Sequence, residues 1–146
     1  MNSDEQYMKE ALREAQKAYD EGEIPIGAVV VMGGRIIGRG HNQTERLNDV
    51  TAHAEILAIS AAAEALGAKY LNDATLYVTV EPCTMCAGAI AWAQMGRLVY
   101  GTGDDKRGYS RLQPPVLHPK TIVETEILCD DCKAIMQKFF GKLRGK

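Results

Sequence analysis

The chain has 146 residues, a formal net charge of −2 and four cysteines. That length suits one domain, residues 1–146, which can bury roughly two-thirds of its surface and needs neither metal nor disulfides merely to make a core. The stretch from Met1 to Glu10 is polar and acidic, unlike a secretory signal. No apolar run approaches the roughly 18 residues that span a bilayer, so a membrane protein is excluded and a cytoplasmic one expected. The cysteines fall in two Cys-x-x-Cys pairs, Cys83/Cys86 and Cys129/Cys132, a pattern of metal thiolates or core residues rather than of a disulfide framework.

In chain order, a first helix is predicted from Ser3, which can form a capping box with Gln6. It runs through Tyr7, Met8, Ala11, Leu12, Ala15, Ala18 and Tyr19 at helical spacing and stops near Gly22. Ile26 to Met32 and Arg35 to Gly40 flank Gly33-Gly34, the pattern of a hairpin with a primed turn. Thr51 can cap a helix through Ile56, Leu57 and Ile59 to Leu66, with Gly67 as its stop. Being apolar on nearly every face, that helix is expected to be buried. Thr75 to Val80 predicts a strand, ended by Glu81-Pro82. Pro82 suits the first turn of a helix that ends at Gly96. Leu98 to Gly101 is another strand. A loop follows around Pro114, Pro115 and Pro119, then a short strand near Thr121 to Val123 and a last helix from about Asp130 to Lys142. Helices alternating with strands predict an α/β sandwich.

The chemistry is concentrated in His53-Ala54-Glu55 and Pro82-Cys83-Thr84-Met85-Cys86. One imidazole and two thiolates make three zinc ligands with a fourth position open, as in catalytic rather than structural zinc sites. Both groups fall at predicted helix starts, so two positive helix ends would face one point and favour thiolates. Zinc lowers the pKa of bound water from about 9 toward 7, and Glu55, beside the ligand histidine, can then move its proton. His-x-Glu alone is a weak signal, but its coincidence with the much rarer Pro-Cys-x-x-Cys is a strong one. A structural four-cysteine site using Cys129 and Cys132 is the competing reading. Its intervening segment is far longer than the roughly 15 to 20 residues usual between such pairs. At the start of an amphipathic helix, Cys129 and Cys132 read more simply as small hydrophobes. A non-catalytic zinc domain is a further alternative, but a purely structural site has no use for Glu55.

Longer blocks carry a resemblance. They are Glu23-Ile24-Pro25-Ile26-Gly27-Ala28-Val29-Val30-Val31, Gly40-His41-Asn42, Asp49-Val50-Thr51-Ala52-His53-Ala54-Glu55-Ile56, and the run from Asp73 to Ala89 that contains Pro82-Cys83-Thr84-Met85-Cys86. With these the chain resembles the cytidine deaminase-like superfamily and, within it, the bacterial tRNA-specific adenosine deaminases. The resemblance implies a three-layer α/β/α sandwich with a central mixed sheet of about five strands. It also implies one zinc per chain on His53, Cys83 and Cys86, with Glu55 as the catalytic proton shuttle. Asn42 and the backbone of Ala54 would contact the base, and Asp104 the neighbouring nucleotide. The implied partners are a tRNA anticodon stem-loop and a second copy of the chain in a homodimer.

The chain departs from the family pattern in Gly108-Tyr109-Ser110-Arg111, where a Gly-Ser step is usual, and in Lys120-Thr121-Ile122, where an Asn-His pair is usual. Lys106, Arg107 and Arg111 read equally as a solvated loop or as phosphate contacts. Phe139-Phe140 resembles the family's C-terminal aromatic pair and reads equally as core packing. A free base or nucleoside of guanine, cytosine or cytidine type is the alternative substrate. The acid-free tail with Lys133, Lys138, Lys142, Arg144 and Lys146 favours a polyanion.

Overall fold

The computed structural model describes residues 3–113 and 115–145. Five strands, β1 (Gly27–Met32), β2 (Arg35–His41), β3 (Thr75–Val80), β4 (Arg97–Thr102) and β5 (Ile122–Glu124), form one mixed sheet in the order β2-β1-β3-β4-β5. β1 pairs antiparallel with β2 and β3, whereas β3, β4 and β5 run parallel. Four helices cover the two faces: α1 (Ser3–Asp20), α2 (Ala54–Leu66), α3 (Thr84–Trp92) and α4 (Cys129–Arg144).

Alternation along the strands sorts the core into two layers. Val29, Val31, Tyr77 and Val99 pack with Met8 and Ala11 of α1 and Cys132 of α4. Ala28, Val30, Leu76, Val78 and Leu98 meet Ala54, Ala58 and Ala62 of α2 and Ile90 of α3. The result is the three-layer α/β/α sandwich of the cytidine deaminase-like fold. The hairpin forms as expected, with Gly33 (φ 59°) and Gly34 (φ 75°) supplying the two left-handed residues of a primed turn. No helix among the described residues is long and apolar enough to cross a membrane.

Several boundaries differ from the sequence expectation, each for a local reason. Thr51 does not cap α2, because its N–H and hydroxyl both bond Asp49 Oδ1 (2.8 and 2.7 Å) in a turn one residue group earlier. His53 takes the N-cap position instead. α2 is not buried on every side. It presents Ala54, Glu55, Ala58 and Ala62 inward, while Ile56, Leu57 and Ile59 remain half-buried, because the sheet covers a single face. Pro82 precedes the helix rather than opening it, and Cys83 is the N-cap of α3. α3 ends at Trp92, not Gly96, where Gln94 takes a left-handed φ of 55°. Gly96 has a different reason to lack a side chain, since a Cβ there would collide with the Asn72 carbonyl. Of the expected proline-rich loop, Pro114 lies outside the described residues.

One buried polar cluster ties the first helix to three strands. Asp4 accepts hydrogen bonds from Tyr77 Oη (2.7 Å) and from Arg97 Nη1 and Nη2 (2.7 and 2.6 Å), and Arg97 also pairs with Glu124 (3.0 Å). Hydrogen bonding from Arg97 is the main reason that the Asp4 carboxyl sits below its ordinary 3.8. A depressed folded-state pKa contributes stability that is present above the unfolded value and lost as pH falls through the folded one. Asp4→Asn is therefore expected to cost about 1.5–3 kcal/mol at neutral pH, the usual worth of hydrogen bonds to a charged group. Urea unfolding of both proteins should show this difference shrinking as the pH is taken below about 4, near the unfolded carboxylate pKa.

Candidate active site

The N-termini of α2 and α3 meet on one side of the sheet. α2 lies so close that a Cβ at Gly38 would strike the Ala58 carbonyl and one at Gly40 the Ala54 carbonyl. Glycine on β2 and alanine on α2 thus set the depth at which the helix start, and His53 with it, is seated. On the other side, β3 runs through Glu81-Pro82 into α3 and delivers Cys83 and Cys86.

His53 and Cys83 play the same local part. Each is an N-cap with extended backbone, and each carbonyl accepts the first helical bond, from Leu57 N (3.1 Å) and Ala87 N (2.9 Å) respectively. Neither side chain is spent on capping, so both are free to turn toward a common centre. Cys86, buried in the first turn of α3, completes the group. His53 Nδ1 lies 3.5 Å from Cys86 Sγ and 3.7 Å from Cys83 Sγ, and the three donor atoms lie within 4.8 Å of one another. In a tetrahedral site with ordinary zinc bond lengths, nitrogen and sulfur ligands stand roughly 3.5 Å apart. The donor set and its spacing fit a metal ion. It is the one such His/Cys/Asp/Glu group among the described residues.

Electrostatics follow from burial and from these contacts. Hydrogen bonding from Cys86, then from His53, holds the Cys83 thiol down to about 3, and the same contact with Cys83 pushes Cys86 upward. His53 is raised chiefly by its hydrogen bond to Cys83, with Glu55 and Cys83 charges adding to this and the Arg107 charge opposing it. Glu55, 3% exposed, is pushed up to about 7, mainly by desolvation. A carboxyl balanced near neutrality beside three metal-type donors is suited to accept and return a proton.

The other expected residues, Asn42, Ala54 and Asp104, lie on three different segments of the chain. Asn42 follows β2 and is buried; its Nδ2 donates to the Ile24 carbonyl (3.3 Å) and its Oδ1 accepts from Thr44 N (3.4 Å). Both bonds are long, and the amide retains a second hydrogen and a second lone pair. Ala54 is the first residue of α2, where N–H groups have no partner within the helix. Asp104 lies in the loop after β4, and its Oδ1 accepts from Lys106 N and Arg107 N (3.0 Å each). That loop touches the metal-type group, since Gly108 forms a bridge with Cys83.

Cys129 and Cys132 stand apart from the site. Cys132 is buried in the opposite core layer, against Gly101, and burial raises its thiol to about 12, so it behaves as a neutral core residue. Phe139 packs edge-on to Tyr19 of α1, which gives the aromatic pair a core role at its first member.

Two residues went unassigned in the sequence reading. Glu23, 2% exposed, accepts from Glu45 N (3.1 Å) and Arg46 N (2.7 Å) and holds the loop after Asn42. Glu81, 7% exposed, accepts from Asp104 N (3.0 Å) and Ser110 N (2.9 Å). The available signal was an acid one or two residues before a proline, as in Glu23-Ile24-Pro25 and Glu81-Pro82.

Comparison with known proteins shows the family. The family model of MafB19-like deaminases matches residues 2–144. The tRNA-specific adenosine deaminase of Bacillus subtilis (strain 168) is 45% identical, over 100% of this chain and 94% of that protein. A solved structure from work on A-to-I editing by tRNA:A34 deaminases at the wobble position superposes with a TM-score of 0.84 and 46% identity, covering 89% of this chain and 98% of the other. The guanine deaminase of Bacillus subtilis gives a TM-score of 0.66 at 44% identity, over 70% of this chain and 66% of that one. Matched over nearly its whole length by the deaminase model, and at this identity to its curated relatives, the chain belongs to the MafB19-like deaminases and, among them, to the family of tRNA-specific adenosine deaminases.

Proposed function

We propose that residues 1–146 form one zinc-dependent catalytic domain that converts adenosine at the wobble position of a tRNA anticodon to inosine by hydrolysis, in the cytoplasm. The observation that carries this reading is the meeting of His53, Cys83 and Cys86 at two helix starts beside the buried Glu55. His53, Cys83 and Cys86 would hold a zinc ion, whose Lewis acidity would make hydroxide available near neutral pH. The remaining work falls to the protein. Glu55 takes a proton from the attacking water, then passes protons to the ring nitrogen and the departing amine. The C6–N bond is exchanged for C6–O, and ammonia leaves. The Asn42 amide and the Ala54 N–H hold the flipped adenine, and Asp104 meets the nucleotide beside it.

The substrate assignment is supported by the names of the relatives and by the exposed basic residues of α4. Lys138 and Lys142 lie over the Tyr19 ring, 5.0 and 5.6 Å from its centre, which keeps two charges on one surface without neutralising them. The likeness to a guanine deaminase supports a second reading, a free base. One assay separates them. Zinc-loaded protein is given an anticodon stem-loop with adenosine at the wobble position and, separately, guanine, cytosine, adenosine and cytidine. Inosine in the RNA with the panel untouched is expected; turnover of the panel alone overturns the tRNA reading. Glu55→Gln should retain zinc and lose at least about 10²-fold in rate, the lower range for general acid–base catalysis.

Elemental analysis is expected to find one zinc per chain, retained in Cys129→Ser and lost in Cys86→Ser. Loss of the metal from Cys129→Ser would return the second cysteine pair to the metal site.

A homodimer through α3 is part of the same proposal. Met85, Gly88, Ala89 and Trp92 line one outward stripe of the helix, Trp92 is 84% exposed, and beyond its own turn of helix Gly88 faces open space. Beside the stripe, a groove of about 390 Å³ is lined by Ile59, Lys69, Tyr70, Ala89, Trp92 and Ala93. An apolar helix face next to half-buried Ile56 and Ile59 is what a second copy would cover. Sedimentation should give twice the chain mass, and Trp92→Glu should give the monomer.

A further inference from the structure

Glu81 ends β3, its own N–H bonded to the Thr102 carbonyl (2.8 Å), and its carboxylate reaches across to the loop that follows β4. Oε1 accepts from Asp104 N and Oε2 from Ser110 N, so one side chain holds both ends of the loop 104–110. Gly108 lies directly over the group, and a Cβ there would collide with the carboxyl carbon and both oxygens. The next two residues add ties of their own, from Tyr109 N to the Pro82 carbonyl (3.0 Å) and between Cys83 and Gly108. Among the described residues Glu81 makes no ion pair. Its desolvation is offset only by backbone N–H groups, an arrangement with a large cost if either bond is lost.

A buried acid without a cation is a poor choice for stability alone, since an apolar residue of similar size would be cheaper to bury. What it does provide is a single rigid body with two acceptors, set between the segment that carries Cys83 and the segment that carries Asp104. We propose that Glu81 is a positioning residue: it fixes the 104–110 loop against the α3 start, so that recognition of the nucleotide beside the target depends on a carboxylate that touches no substrate. This rests on the RNA reading given above.

The test uses full-length zinc-loaded protein, Glu81→Gln and Gly108→Ala. The amide side chain keeps one acceptor oxygen but turns its NH₂ toward the other backbone N–H, so one clamp bond is lost. Gly108 has φ −64°, which alanine adopts freely, so Gly108→Ala disturbs the clamp sterically and independently of Glu81 chemistry. Both variants should keep one zinc per chain. Hydrogen exchange at residues 104–110 should quicken, and KM for the stem-loop should rise roughly tenfold or more, the worth of one charge-assisted hydrogen bond, with kcat changed far less. The double variant should be no worse than either single one, because both break the same contact.

Unchanged exchange, unchanged KM, or a fall confined to kcat would each overturn the proposal. A wild-type protein inactive on the stem-loop would overturn the RNA reading instead, and exchange at 104–110 then decides whether the clamp exists: faster exchange in both variants sustains it, and equal exchange removes it.

Discussion

The close approach of α2 to the sheet is the contact on which the rest depends. Gly38 and Gly40 leave no side chain between β2 and the helix, and Ala54, Ala58 and Ala62 face them with the smallest Cβ-bearing side chain available. A larger residue on either side would lift the helix by the thickness of a methyl group or more. His53 sits at the end of that helix, and a ligand displaced by about 1 Å is one that no longer meets its partners. Packing of inert residues thus governs the geometry of the reactive ones.

Four buried acids, Asp4, Glu23, Glu55 and Glu81, serve in three ways, and the surroundings of each explain its role. Asp4 is answered by the Arg97 guanidinium and the Tyr77 hydroxyl, and so remains an ionised strut between α1 and the sheet. Glu23 and Glu81 are answered by pairs of backbone N–H groups and act on loops. Glu55 is buried among sulfur and imidazole, with desolvation outweighing the contacts that favour its charge, and is raised toward neutral pH. The same functional group serves as strut, clamp or proton carrier according to what compensates its desolvation.

Much of the fold could be read from residue patterns because it depends on local rules. The Gly33-Gly34 turn, the Gly67 stop and the apolar run of β3 each follow from backbone preference or burial over a few residues. The helix starts were harder. Thr51 is a good capping residue by type, yet Asp49 captures its donors. Pro82 is a good first-turn residue by type, yet it precedes the cap. In both cases the residue suited to the position by type is passed over, and His53 or Cys83 takes the N-cap. α2 misled for a related reason: its apolar composition suggested full burial, but the sheet has only one face to offer it.

The amino-acid sequence by itself determined which donors are available, since His53, Cys83, Cys86 and Glu55 carry their chemistry by residue type and by spacing along two helix starts. It also determined the alternation of strands and helices, because hydrophobic period is a local property. Only the tertiary structure decided how closely the donors at the two helix ends stand, that Cys132 lies in the opposite core layer, and that Glu23 and Glu81 turn inward onto loops. Those outcomes depend on contacts between residues far apart in the chain, where small residues permit approach and buried acids select which backbone they hold. No local pattern encodes them.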